Sequence, residues 1–278
     1  MPTFDTPEPI SVSLEFDAGS VRISAGPRAD TVVEVLPSDP GAEADVTAAR
    51  QTRVTCSDGR LLVKGPRKRS LFGRSGSLAI DIELPAGSDV RAHSPMADFT
   101  CEGRFGDCKL TTSFGDIVLD EAATAHLRSA HGEIRLGRVR GDASVAGAGQ
   151  IDVGEIAGAA TVRNGNGATV IGEVTGDLRV NSANGRISVG VAHAGVEATS
   201  ANGGIRIGEV ARGQVSLRTA VGDLEVGVRA STAAWLDVNT GRGGVHNALA
   251  AADGPGPSEE TVEIHARTGT GDIVIRRS

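Results

Sequence analysis

Three carboxylates, Asp98, Asp116 and Glu133, recur roughly 17 to 18 residues apart, each just after the same kind of turn. Paired carboxylates, or a carboxylate beside Arg or Lys, are what acid–base attack on a polysaccharide requires, and Arg135 and Lys109 are candidate companions. The same column continues as Gln150, Ala168, Arg186 and Gly204, so its charge runs out midway. Exposed turns accept Asp and Glu without any chemistry to perform. No residue set converges as an active site must, and the chain is expected not to be an enzyme.

Other reactive residues are equally sparse. Cys56, Cys101 and Cys108 make no disulfide framework, and no cluster with His offers a metal-ligand set, so no cofactor is expected. Calcium-binding rolls need a Gly-Gly-x-Gly-x-Asp repeat at half this period, and hexapeptide coils need an aliphatic residue every six; neither pattern fits. One dense basic cluster stands out, Arg67, Lys68, Arg69, Leu71, Phe72 and Arg74. It reads either as a solvated loop or as a contact for an acidic partner, with Leu71 and Phe72 as an apolar anchor.

The elements that position these residues form a repeat. Ser129, Ser182, Ser200, Thr219, Thr240 and Thr268 each stand three residues before a glycine, and the unit recurs about every 17 to 19 residues. After each glycine anchor comes an apolar, variable, apolar triplet, the signature of a short strand buried on one face. Its columns read Phe99, Ile117, Ile134, Ile151, Thr169, Ile187, Ile205, Leu224, Val245, Ile273 and, two residues on, Cys101, Leu119, Leu136, Val153, Ile171, Val189, Ile207, Val226, Asn247, Ile275. A second triplet ends before the next anchor, with an outward column of Arg91, Lys109, His126, Ser144, Thr161, Arg179, Glu197, Ser216, Asp237 and Glu263. Val139, Ile156, Val174, Val210 and Val228 fit a corner between the two. Cys101 and Cys108 fall in inward columns, where free Cys acts as a small hydrophobe.

A unit this short cannot bury its own apolar face, so copies must stack. The expected fold is all-β: a right-handed parallel β-helix, or solenoid, of about ten coils with strands about 4.8 Å apart. Thr169 and Asn247 interrupt the aliphatic columns. Asn166, Asn184 and Asn202 precede anchors and either serve the turn alone or form a hydrogen-bonded ladder. The Pro/Gly-rich stretch between Ala250 and Glu260 reads as a loop that sets the final coil, Thr268 to Ile275, apart.

Residues 1–90 lack the repeat but alternate as strands, with Asp17–Gly19 reading as a hairpin turn, a helix near Ala42 to Ala49, and a second turn at Ser57-Asp58-Gly59. They are expected to form a β-rich cap leading into a repeat domain at 91–278, because an open stack exposes strand edges. The closing Arg276-Arg277-Ser278 reads as edge protection, which favours a monomer or closed dimer over a filament.

Composition narrows the partners. A net charge of -7, with signs mixed, opposes a nucleic-acid binder. With 3% aromatic residues, one Trp and no Tyr, stacking platforms for sugars or bases are not expected, and Trp235 reads as a packing residue at a bulge. The amino terminus lacks the regions of a signal peptide and no run spans a membrane, so the expected location is the cytoplasm.

The repeated Ser/Thr-x-x-Gly-Asp/Glu-Ile-x-Leu, as at Thr112 to Leu119 and Ser129 to Leu136, resembles the β-strand-repeat family of putative adhesins, a domain of unknown function common in actinobacteria. The resemblance covers nearly the whole chain and implies a fold and surface display, with no catalytic residues to transfer. The expected function is a non-catalytic scaffold or adhesin-like protein that binds a protein or other macromolecule. The alternatives are a polysaccharide-acting β-helix enzyme and a self-assembling β-helix polymer.

Overall fold

The computed structural model describes residues 2–66, 76–250 and 260–278. The described residues are all-β apart from one helix, and the chain divides into two compact units, Met1–Arg140 and Gly141–Ser278.

In the second unit every repeat supplies two strands, and each strand pairs in parallel with its equivalent in the next repeat. One ladder runs through Ala143–Gly147, Ala160–Asn166, Leu178–Asn184, Val196–Asn202 and Gly213–Val221. The other runs through Ile151–Ile156, Thr169–Val174, Ile187–Ala192, Ile205–Val210 and Leu224–Val228. The register joins like to like, Ile151 on Thr169 on Ile187 on Ile205 on Leu224, as the columns predict. These residues are buried, and each Ile, Leu or Val so placed contributes about 1.5–3 kcal/mol of apolar burial. The corner file Ile156, Val174, Ala192, Val210 and Val228 is buried as well.

The order of the last coils departs from the sequence. Glu260–Thr270 lies between Gly213–Val221 and Thr232–Thr240, parallel to both, and Ile273–Arg277 lies between Leu224–Val228 and Val245–Asn247. The final coil is therefore inserted, and among the described residues the coil spanning 232–247 has a coil neighbour on one side only. That explains Asn247: it keeps the inward column opposite Ile275 but is exposed at the end of the stack, as is Val245 two residues before it.

The insertion also corrects the reading of Arg276-Arg277-Ser278 as edge protection. Arg277 donates to the carbonyls of Arg229 and Thr232, each at 2.8 Å, Arg276 pairs with Glu225 at 3.0 Å, and the Ser278 N–H reaches the Val228 carbonyl. The tail thus clamps the segment where the chain leaves for the end coil. A second correction concerns register: Val215 and Leu236 flank Ile264, not Val262, and His265 rather than Glu263 occupies the outward file with Ser216 and Asp237. A slip of two residues keeps each side chain on its face, so hydrophobic alternation could not reveal it.

In the first unit the ladders pass through Ser11–Glu15, Ala18–Gly26 and the long strand Asp89–Phe114, then Ile117–His131 and Ile134–Val139. Here too a segment is inserted. Ser11–Glu15 sits between Arg60–Lys64 and the start of Asp89–Phe114, and Ala18–Gly26 between Ser77–Pro85 and a later part of that long strand, all parallel. Asp17–Gly19 is thus a corner joining two parallel ladders, not a hairpin.

Antiparallel strands follow on the far side: Asp30–Pro37 on Ser77–Pro85, Thr3–Asp5 on Asp30–Pro37, and Arg53–Ser57 on Arg60–Lys64. The last pair is the expected hairpin, with Asp58 and Gly59 both at positive φ, as a type I′ turn needs. The helix Glu43–Gln51 is held by the buried Asp45, whose carboxylate accepts the Asp39 and Ser77 N–H groups at 3.1 and 2.9 Å.

Candidate functional site

The acidic column has a structural task. Asp98 accepts the backbone N–H of Asp116 at 2.9 Å, and Asp116 accepts that of Glu133 at 2.7 Å. The device recurs where Asp223 accepts from Asp272 and Asp272 from Gly244. At the opposite corner Asp89 accepts the N–H of Asp107, Asp142 that of Ala159, and Asp177 that of Gly195. Each carboxylate holds the turn of the neighbouring coil. Arg135 pairs with Glu133 at 2.5 Å, whereas Lys109 belongs to a different strand file, opposite His126.

The Ser/Thr-x-x-Gly motif is explained by the same stacking. The Ser129 hydroxyl donates to the Gly115 carbonyl at 2.7 Å, Thr219 to Gly203 at 3.0 Å, Thr268 to Gly222 at 2.9 Å and Thr240 to Gly271 at 2.8 Å. These four hydroxyls bind the anchor carbonyl of the coil next door, and the Ser182 and Ser200 hydroxyls at the same position are buried without a partner, so the repeated polar residue is turned into the stack rather than displayed to a ligand.

Asn164 takes the place of Ser or Thr in one coil, and it explains Thr169. Its amide donates to the carbonyls of Gly149 and Gly167 and, at 3.1 Å, to the Thr169 hydroxyl. Both residues are buried, so the polar pair stands where other coils carry a hydroxyl and an aliphatic. Replacing the pair together, Asn164→Ser with Thr169→Ile, is expected to be neutral or stabilising by about 1 kcal/mol, while Thr169→Ile alone gains less because the amide loses an acceptor. A double-mutant cycle read by denaturant unfolding measures this coupling.

The Asn column forms the ladder: Asn184 donates to Asn166 at 2.9 Å and Asn202 to Asn184 at 3.0 Å. In the first unit the equivalent file is apolar and aromatic. Met96 and Phe114 are more than half exposed, and the Phe114 ring stacks on His131 with centroids 4.7 Å apart.

The cysteines behave as core residues. Cys101 and Cys108 are buried; burial pushes the Cys101 thiol well up and the Cys108 thiol to about 12, which removes them as nucleophiles at neutral pH. Trp235 differs from expectation. It is 58% exposed on the outward face of the end coil, its ring edge-on to His265 at 5.5 Å; that imidazole hydrogen-bonds Asp237 and Glu263, and Arg267 pairs with Asp237. Arg67, Lys68, Arg69, Leu71, Phe72 and Arg74 lie outside the described residues.

Sequence reading passed over one outward surface. Arg91, Lys109 and His126 share a file, with His93 and Arg128 two residues further along their strands, and all five are exposed. The column was legible; that none of the five forms an ion pair among the described residues was not.

No group of His, Cys, Asp or Glu among the described residues could hold a metal ion, and no helix among them is long and apolar enough to cross a membrane. No family model matches the chain and no curated protein matches it. Three similar solved structures are a putative cell adhesion protein from Clostridium sporogenes, a putative adhesin from Bacteroides fragilis and a putative adhesin from Parabacteroides merdae. The first is 12% identical with a TM-score of 0.30, covering 100% of this chain and 98% of the other. The second is 12% identical with a TM-score of 0.36, covering 99% and 95%. The third is 10% identical with a TM-score of 0.38, covering 81% and 94%.

Proposed function

We propose that the chain is a non-catalytic β-solenoid scaffold, adhesin-like in that its outward files present side chains to a macromolecular partner. One observation carries this reading: the carboxylates that could have done chemistry, Asp98 and Asp116, are bound to backbone N–H groups of adjacent coils. Further parts of the proposal are a right-handed coil of about ten turns, a cap at 1–90 and a repeat domain at 91–278. Arg67 to Arg74 is kept as a partner contact, while the monomer or closed dimer loses the edge protection that favoured it, since Ile273–Arg277 lies between two strands. The free thiols fit a reducing compartment such as the cytoplasm.

The test separates structure from catalysis. Asp116→Ala is expected to lower unfolding free energy by about 1 kcal/mol, through the unpaired Glu133 N–H, and to change no turnover in a polysaccharide-degradation screen. Turnover by the wild type that disappears in this variant contradicts the proposal.

A further inference from the structure

We propose that the outward face formed by Arg91, His93, Lys109, His126 and Arg128 binds an acidic polysaccharide. The assignment deepens the scaffold reading and rests on it.

The face is built by the ladder. Lys109 stands opposite His126 and Thr111 opposite Arg128, while Ser13 and Glu15 stand opposite Arg91 and His93. The Asp107 N–H bonded to Asp89 places one pass of the long strand beside the next, so Arg91 falls beside Lys109, two residues on. Neighbouring coils therefore set Arg91, Lys109 and His126 about 4.8 Å apart, and alternate residues set Arg91 from His93, and His126 from Arg128, by about 6.7 Å.

The charge on this face is free. Among the described residues none of these five side chains is held in an ion pair or hydrogen bond. Three carboxylates lie in the same files and keep their charge: Glu15 faces Lys64 at 3.8 Å, while Asp89 accepts the Asp107 N–H and Asp107 the Thr124 hydroxyl at 2.6 Å, which ties them to the corner and leaves Arg91, Lys109 and Arg128 unpaired with them. Three permanent cations and two imidazoles that become cationic on protonation thus share a small area, in a chain whose net charge is -7. Their complement is a row of fixed anions.

The surroundings select among polyanions. No Phe, Tyr or Trp stands among these files, so bases of a single strand would find only the two imidazoles to stack on. A basic surface that anchors to lipid adds apolar side chains to its charges, and the files here carry Ser13, Thr111 and Thr124 between them. A linked sugar advances by about one coil spacing per ring, so successive carboxylates or sulfates along one chain meet successive cations. Arg and Lys bind such groups through charge-assisted hydrogen bonds.

The experiment measures binding of the full chain to polygalacturonate and dextran sulfate, with neutral dextran, duplex DNA and phosphatidylserine vesicles as competitors. Wild type is expected to bind the acidic polysaccharides, weakening with salt. The variant R91S/K109S/R128S is expected to lose about tenfold to a hundredfold in affinity with a shallower salt slope. R91K/K109R/R128K, which keeps the charge, retains binding. All three sites face water, and an unchanged unfolding transition certifies that the variants fold. No binding, binding unmoved by the serine variant, or tighter binding to DNA or vesicles overturns the assignment and leaves the scaffold reading standing. New reducing ends released from the polymer overturn both.

Discussion

Deleting residues 260–278 is expected to unfold the coils on either side of them, not merely shorten the stack by one. That segment contributes Val262, Ile264, Ala266, Ile273 and Ile275, all buried, between Gly213–Val228 on one side and Thr232–Asn247 on the other. Their burial amounts to roughly 10 kcal/mol, comparable with the whole net stability of an ordinary domain. The end coil suffers most, because Leu236 and Val238 are only half-buried even in the intact protein and every parallel partner they have is deleted. Hydrogen exchange should show amide protection lost across 213–247 while 143–192 stays protected. If the coils stacked in sequence order, the deletion would remove an end and leave 213–247 protected.

Gly203→Val should be among the most damaging single substitutions in the repeat. Gly203 has φ +143°, which L side chains rarely adopt, and an added Cβ would lie 2.1 Å from the Gly185 carbonyl oxygen. That oxygen belongs to the backbone of the neighbouring coil and cannot swing aside. Strain at the unfavourable φ and overpacking against fixed backbone together predict a loss of about 3 kcal/mol or more. Chemical denaturation reads it, with Ala123→Val, on a half-buried non-glycine site, as the volume control. A loss below about 1 kcal/mol would mean the anchors do not pack carbonyl against glycine.

Both effects come from vertical stacking, and most of that stacking was legible. Constant spacing placed Ile117, Ile134, Ile151 and Ile187 in inward files because burial demands the same face in every coil. The Ser/Thr before each anchor was visible as a pattern. Its task was not, since the carbonyl it binds lies in another coil, as Gly115 does for Ser129. The order of the final coils was hidden for a different reason: an apolar column looks the same whichever neighbour it rests on. Asn247 and the long Pro/Gly-rich connection before Glu260 were the available signals. At the end of a stack an inward column tolerates a polar residue such as Asn247, whereas Thr169 in mid-stack has the buried Asn164 amide beside it. The cation face needed the same knowledge, because Arg91, Lys109 and His126 become one surface only when their coils are neighbours. The carboxylate column was easier to see than to interpret, since turn stabilisation and catalysis draw on the same residue type.

Cysteine cross-linking at the outward file formed by Ser216, His265 and Asp237 tests the stacking most directly. Adjacent parallel strands bring Cα atoms to about 4.8 Å, within disulfide reach, whereas strands two apart are separated by nearly 10 Å, beyond it. The pairs Ser216→Cys with His265→Cys, and Asp237→Cys with His265→Cys, should each oxidise to an intramolecular disulfide. The pair Ser216→Cys with Asp237→Cys should not. A disulfide in that last pair together with none between positions 216 and 265 would contradict the inserted coil and the files built upon it.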